Sequence, residues 1–183
     1  MQNLKIGIGV LIAILMLTVN ACSGANSSNA SVGNTSRPNV AKVGDLAPEI
    51  SLKTMTGEQF VLSQLKGKAV LVNFWATWCG PCRAEFPAFV RKTKEYADKG
   101  FVIVGVNTQD DNSDEGVLTF MRNSVVNFTI ARDLDGNVAK MYRVTGLPTS
   151  YFIDRAGIIR DVVIGGPIPD EKIDEVVAKL LQY

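Results

Sequence analysis

Hydrophobic positions divide the chain into three stretches. An apolar run from Ile6 to Val19 is broken only by Gly7, Gly9 and Thr18, and a stretch of Ser, Asn, Gly, Ala and Thr with one Val, one Arg and one Pro fills residues 23–39. From Val43 onward apolar and polar residues recur with the periods of strands and helices. In this last stretch Ile50 to Thr54 and Gln59 to Leu62 read as a hairpin turned at Gly57. Ala69 to Trp75 is a nearly continuous apolar run of strand length, the pattern of a strand covered on both faces. A helical pattern then extends to about Lys99, with a kink expected at Pro87, which lacks a backbone donor. Phe101 to Val106 reads as a second buried strand, Ser113 as the cap of a helix over Asp114 to Asn123, and Phe128 to Ile130 as a short strand. Asn137 to Tyr142 suits a short helix, and Ser150 to Asp154 with Ile158 to Ile164 a hairpin turned at Arg155 to Gly157. Pro169-Asp170 opens an amphipathic helix to about Gln182. Alternating strands and helices that end in a hairpin predict an α/β domain, a mixed sheet flanked by helices.

The apolar run at the start follows a single charge, Lys5, and ends at Asn20-Ala21-Cys22, the anatomy of a secretory signal. Val19 to Cys22 resembles the lipobox of bacterial lipoproteins, in which the cysteine becomes the first mature residue and carries lipid. An uncleaved anchor stretching over Leu4 to Ala21, or cleavage after Ala21 to release a soluble protein, are the alternatives. The expected organisation is a signal peptide or anchor over residues 1–21, a flexible tether over 22–42 and one domain over 43–183.

With 183 residues the chain holds one well-cored domain plus appendages. Nineteen basic residues against 18 acidic ones give no electrostatic footprint for nucleic acid. Histidine is absent, which excludes a Ser-His-Asp or Cys-His engine and any imidazole metal site. No cofactor and no metal are expected, since Cys79 and Cys82 have no second pair to complete a thiolate cage.

The spacing of that pair carries the chemistry. Cys79 follows a strand and opens a helix, where unpaired N–H groups and the helix dipole favour a thiolate and lower its pKa. Cys82 lies one turn further in, able to close a short disulfide, so Cys79 is expected to attack and Cys82 to resolve. A merely stabilising disulfide is the bland reading, and its loop is too short to constrain the unfolded chain much. Trp75 and Phe74 read as core, Trp78 as an exposed neighbour of the nucleophile, and Arg83 and Glu85 as solvated helix residues.

The string VNFWATWCGPCRAEFP, Val72 to Pro87, resembles the active-site segment of thioredoxin-fold proteins, including the proline five residues after the second cysteine. Val144 to Thr149 resembles that family's cis-proline loop, which implies a cis Pro148 beside the disulfide. The implied fold is thioredoxin-like and three-layered, with an N-terminal hairpin and a central insert at Asp110 to Val126. Pro148 stands 69 positions after Cys79, a spacing longer than in plain thioredoxin by about one helix, and the insert supplies that excess. With the opening Val43 to Pro48 and the tether, the resemblance narrows to the TlpA/ResA/DsbE-like branch. It implies an extracytoplasmic reductase of exported proteins with cysteine pairs, such as apocytochrome c, fed by a membrane electron donor of the CcdA type. Trp78, Gly80, Pro81 and Leu147 are then the implied substrate contacts. Two departures stand out. Asn73 occupies the place of thioredoxin's buried aspartate, so Asp110, after the next strand, is the implied proton acceptor. Gly80 replaces an acidic residue of ResA itself. A thiol peroxidase shares the fold, but its threonine three residues before the cysteine is Ala76 here; a non-catalytic holder of exported chains is the rival from outside the enzymes.

Overall fold

A computed structural model describes residues 40–183; the expected signal, the lipidated Cys22 and the expected tether up to residue 39 lie outside the described residues, whereas Ala41, at the end of the expected tether, is buried in the core and donates its N–H to the Met141 carbonyl at 3.0 Å. The order of elements is β1 (Ser51–Lys53), β2 (Gln59–Val61), β3 (Ala69–Trp75), α1 (Gly80–Glu95), β4 (Phe101–Thr108), α2 (Asp114–Asn123), β5 (Thr129–Asp133), α3 (Asn137–Met141), β6 (Thr149–Ile153), β7 (Ile159–Ile164) and α4 (Asp170–Leu180). β1 and β2 form an antiparallel hairpin, with Gly57 at φ +87° in its turn. The other five strands form one sheet in the order β5-β4-β3-β6-β7. β3, β4 and β5 run parallel while β6 and β7 are antiparallel.

Alternation along β3 explains the layers. Val70, Val72 and Phe74 face one side, packing with Val104, Val106, Tyr151 and the α3 residues Val138 and Ala139. Ala69 and Leu71 face the other, against Phe89 of α1 and Ile173, Val176, Val177 and Leu180 of α4. At the C-terminal end of β3, Trp75 packs in tilted contact against Phe86 and against Phe120 of α2 at centroid distances of 4.7 and 5.0 Å. Burying each such aromatic contributes roughly 1.5–3 kcal/mol, so this layer fixes the end of β3 and the start of α1. Among the described residues no helix is long and apolar enough to cross a membrane.

Strands β1, β2, β6 and β7 end within a residue of the spans read from the sequence, and β4 and β5 differ by more. β4 continues two residues past Val106 because Asn107 and Thr108 pair with Arg132 and Asp133. β5 sits at Thr129–Asp133 rather than Phe128 to Ile130, since Phe128 joins the aromatic packing while the polar Arg132 and Asp133 take up the ladder. The α1 helix runs without interruption through the exposed Pro87 and stops at Glu95, with a separate 3₁₀ turn over Ala97–Lys99.

Candidate active site

β3 delivers the chain to a turn, Ala76 to Trp78, after which Cys79 is the N-cap of α1. Cys79 and Cys82 are joined as a disulfide. The Cys82 backbone N–H donates to Cys79 Sγ at 3.2 Å, so one of the orphan donors of the first helical turn points at that sulfur. The same geometry stabilises negative charge there once the disulfide is reduced. Cys79 is 4% exposed and Cys82 is wholly buried, which leaves Cys79 as the sulfur that a partner reaches. Gly80 and Pro81 are exposed in the first turn, where proline lacks a donor that would be unpaired in any case.

The turn is clasped from the end of β4. Asp110 accepts the Thr77 N–H at 2.6 Å, the Thr77 hydroxyl at 3.0 Å, the Asn107 amide at 2.8 Å and the Asn112 N–H at 3.1 Å. Burial raises its pKa, but these hydrogen bonds outweigh burial and hold the carboxyl below its usual range. Gln109, in the left-handed region at φ +51°, presents its carbonyl to Trp78 Nε1 at 2.8 Å. Trp78 is therefore tethered by its polar edge while 63% of it remains exposed beside Cys79. Trp75 and Phe74 are buried core, as the sequence reading expects.

Opposite the turn, β6 pairs with β3 so that Thr149 faces Phe74, which brings Pro148 level with Trp75. The Leu147–Pro148 bond is cis, as the resemblance implies. Leu147 is half-buried and packs with the cluster that contains both cysteines, while Pro148 is buried. Gly166–Pro167 is a second cis bond, without a signal in the sequence reading.

Glu85 corrects that reading. It is 0% exposed, whereas Arg83 is exposed as expected. Glu85 lies three residues after Cys82, on the same face of α1 and beneath it. Its Oε1 accepts the Asn73 amide at 2.7 Å, and that amide also donates to the Ser150 hydroxyl at 2.9 Å. Burial pushes its pKa up to about 7, against the opposing pull of Asn73 and of the Ile168 backbone N–H. That N–H closes no hydrogen bond of normal geometry, and Oε2 remains without a partner among the described residues. The buried acid missing at Asn73 is thus supplied from α1. Its signal is positional: Cys82, Glu85, Phe86 and Phe89 recur at i, i+3, i+4 and i+7, placing a carboxylate within the helix's apolar stripe.

Comparison with known proteins agrees with this geometry. The AhpC/TSA family matches residues 43–162. Over 123 residues the chain is 46% identical to the thioredoxin-like protein YneN of Bacillus subtilis, covering 67% of this chain and 71% of that one. It is 37% identical to the thiol-disulfide oxidoreductase ResA of Oceanobacillus iheyensis, covering 84% and 79%. The crystal structure of a putative thiol:disulfide interchange protein DsbE from Chlorobium tepidum superposes with a TM-score of 0.71 at 35% identity, covering 76% of this chain and 98% of that one. With a Cys-Gly-Pro-Cys pair at a helix N-terminus beside a cis-proline, the chain belongs to the AhpC/TSA family and is a thiol-disulfide oxidoreductase of the ResA/DsbE type.

Proposed function

We propose that this enzyme is an extracytoplasmic, membrane-tethered reductase of disulfides in exported proteins, with apocytochrome c as one substrate and a CcdA-type membrane protein as electron donor. The observation that carries the redox assignment is the Cys79 sulfur, capped by the Cys82 N–H, with a buried acid one turn below. In the forward direction the Cys79 thiolate attacks a substrate disulfide, forming a mixed disulfide and releasing one substrate thiolate. The Cys82 thiol passes its proton to Glu85, and its thiolate attacks Cys79 Sγ. This releases the second substrate thiolate and leaves the enzyme oxidised by two electrons. Pro148 borders the exchanging sulfurs, and Trp78, Gly80, Pro81 and Leu147 contact the substrate chain. Asp110 acts through Thr77, holding the turn that presents Trp78 and Cys79.

Insulin-disulfide turnover with dithiothreitol as electron source tests this reading. Rapid precipitation of the freed insulin B chain is expected, and a rate no higher than with dithiothreitol alone would leave only a non-catalytic holder. The location rests on the charged start, short apolar run and Cys22. Growth with a radioactive fatty acid is expected to label the wild type and not Cys22→Ala. Unlabelled protein in the membrane would point to an uncleaved anchor, and unlabelled protein in the medium to cleavage after Ala21.

A further inference from the structure

The loop that leads from β7 to α4 passes directly against the buried carboxylate of Glu85. The loop is pinned at both ends. The Gly165 N–H donates to the Pro148 carbonyl at 2.8 Å, and Ile168 is buried in the core between α1 and α4. Between these anchors Gly166 is exposed on its outer side. A Cβ built on Gly166 would lie 2.8 Å from Glu85 Oε2 and 2.7 Å from Pro148 Cγ, closer than carbon atoms approach such neighbours. The φ of Gly166 lies outside the left-handed region, so space rather than backbone conformation excludes a side chain. Gly166 therefore touches the acid and the cis-proline ring at once, on the side of Glu85 whose oxygen has no partner.

We propose that Gly166 is a positioning residue of the redox site, a lid of minimal thickness that keeps water off the Glu85 carboxylate while leaving that carboxylate in place beneath Cys82. This rests on the reading of Glu85 as proton acceptor. The surroundings of Glu85 leave this lid in control of its hydration. From β3 it meets the Asn73 amide, which also binds the β6 hydroxyl of Ser150, and from the loop the Ile168 N–H. No cation or second carboxylate acts on it among the described residues, and Arg91, further along α1, is paired with Asp170 at the surface. The titratable neighbour is Cys82 in the reduced enzyme. An acid surrounded in this way owes its protonation behaviour to exclusion of water, and a side chain on Gly166 must lift the loop or displace the acid.

The test is a ¹³C NMR titration of the Glu85 carboxyl in the full-length oxidised protein, in the wild type, Gly166→Ala and Pro167→Gly. The second variant loosens the loop without adding an atom and keeps the test decisive if the first does not fold. The wild-type midpoint is expected near 7, and each folded variant is expected to titrate at least about one pH unit lower as water reaches the carboxylate. The pH dependence of mixed-disulfide resolution is expected to shift by the same amount and in the same direction. Variants that fold and titrate as the wild type does would overturn the lid, whatever Glu85 does in catalysis. A midpoint that falls while the resolution profile stays fixed would support the lid and overturn the proton-acceptor reading on which its catalytic consequence rests.

Discussion

Cys79→Ser is expected to lower disulfide exchange by at least about a thousandfold, whereas Cys82→Ser is expected to keep the first half-reaction and stall as a mixed disulfide. The asymmetry follows from the fold. Cys79 Sγ sits at the α1 N-terminus, receives the Cys82 N–H and retains slight exposure, while Cys82 is sealed behind it. A thiolate at position 79 thus has both stabilisation and access, and one at position 82 reaches only its neighbour. Mass spectrometry of Cys82→Ser recovered from its native host should show exported proteins joined to Cys79. Adducts on Cys82 in the Cys79→Ser protein, with none on Cys79 in the other, would reverse the assignment.

Glu85→Gln carries the second large effect. A positioned general base contributes typically 10²–10⁴-fold, so the resolving step is expected to slow by roughly a hundredfold or more while formation of the mixed disulfide changes little. In the wild type, resolution should fall as pH drops below about 7, where Glu85 becomes protonated and cannot accept the Cys82 proton. The variant should lose that limb of the profile. Stopped-flow tryptophan fluorescence across pH 5 to 9 reads both. The same carboxyl links pH to stability. Its pKa is raised from 4.5 to about 7 on folding, so its contribution is fully present below the lower value and is lost as pH rises through the upper one. The loss is roughly 3 kcal/mol, which Glu85→Gln should abolish, so thermal melts of the two proteins should converge at acidic pH and separate above neutrality.

Much of this was legible in the residues themselves. The apolar run Ala69 to Trp75 could satisfy itself only between two layers, and it is β3 at those bounds. Ser113 accepts the Gly116 N–H and caps α2 over Asp114–Asn123, the span its side chain implies. The cis Leu147–Pro148 bond and the cysteine pair follow the resemblance of their segments. What escaped depends on contacts between distant segments. Glu85 is buried because α1 turns that face onto Asn73 and the loop before α4, partners 12 residues back and about 80 ahead in sequence. A charged residue read alone defaults to solvent, and only its place in an apolar stripe argues otherwise. The resemblance implies Asp110 as the proton acceptor, yet its four donors, which come together only when the β3 and β4 ends meet, hold its carboxyl below the usual range and tie it to the turn at Thr77. The edge strand β5 was obscured because Arg132 and Asp133 break the apolar pattern while serving hydrogen bonds to Asp114 and to the start of α3.

The central claim is that this oxidoreductase works as a reductase, and its reduction potential tests that most directly. Thioredoxin, with the same Gly-Pro between its cysteines, lies at about −270 mV and the oxidant DsbA at about −120 mV, a span of about 7 kcal/mol in a two-electron couple. Here the contact to Cys79 Sγ from within the motif is the Cys82 N–H, and Gly80 and Pro81 add no side-chain donor to stabilise a strongly oxidising thiolate. Equilibrating the protein in glutathione redox buffers and following the fluorescence of Trp78 and Trp75 gives the potential. A value below about −220 mV is expected, and one above about −170 mV would make the protein an oxidant and contradict the account.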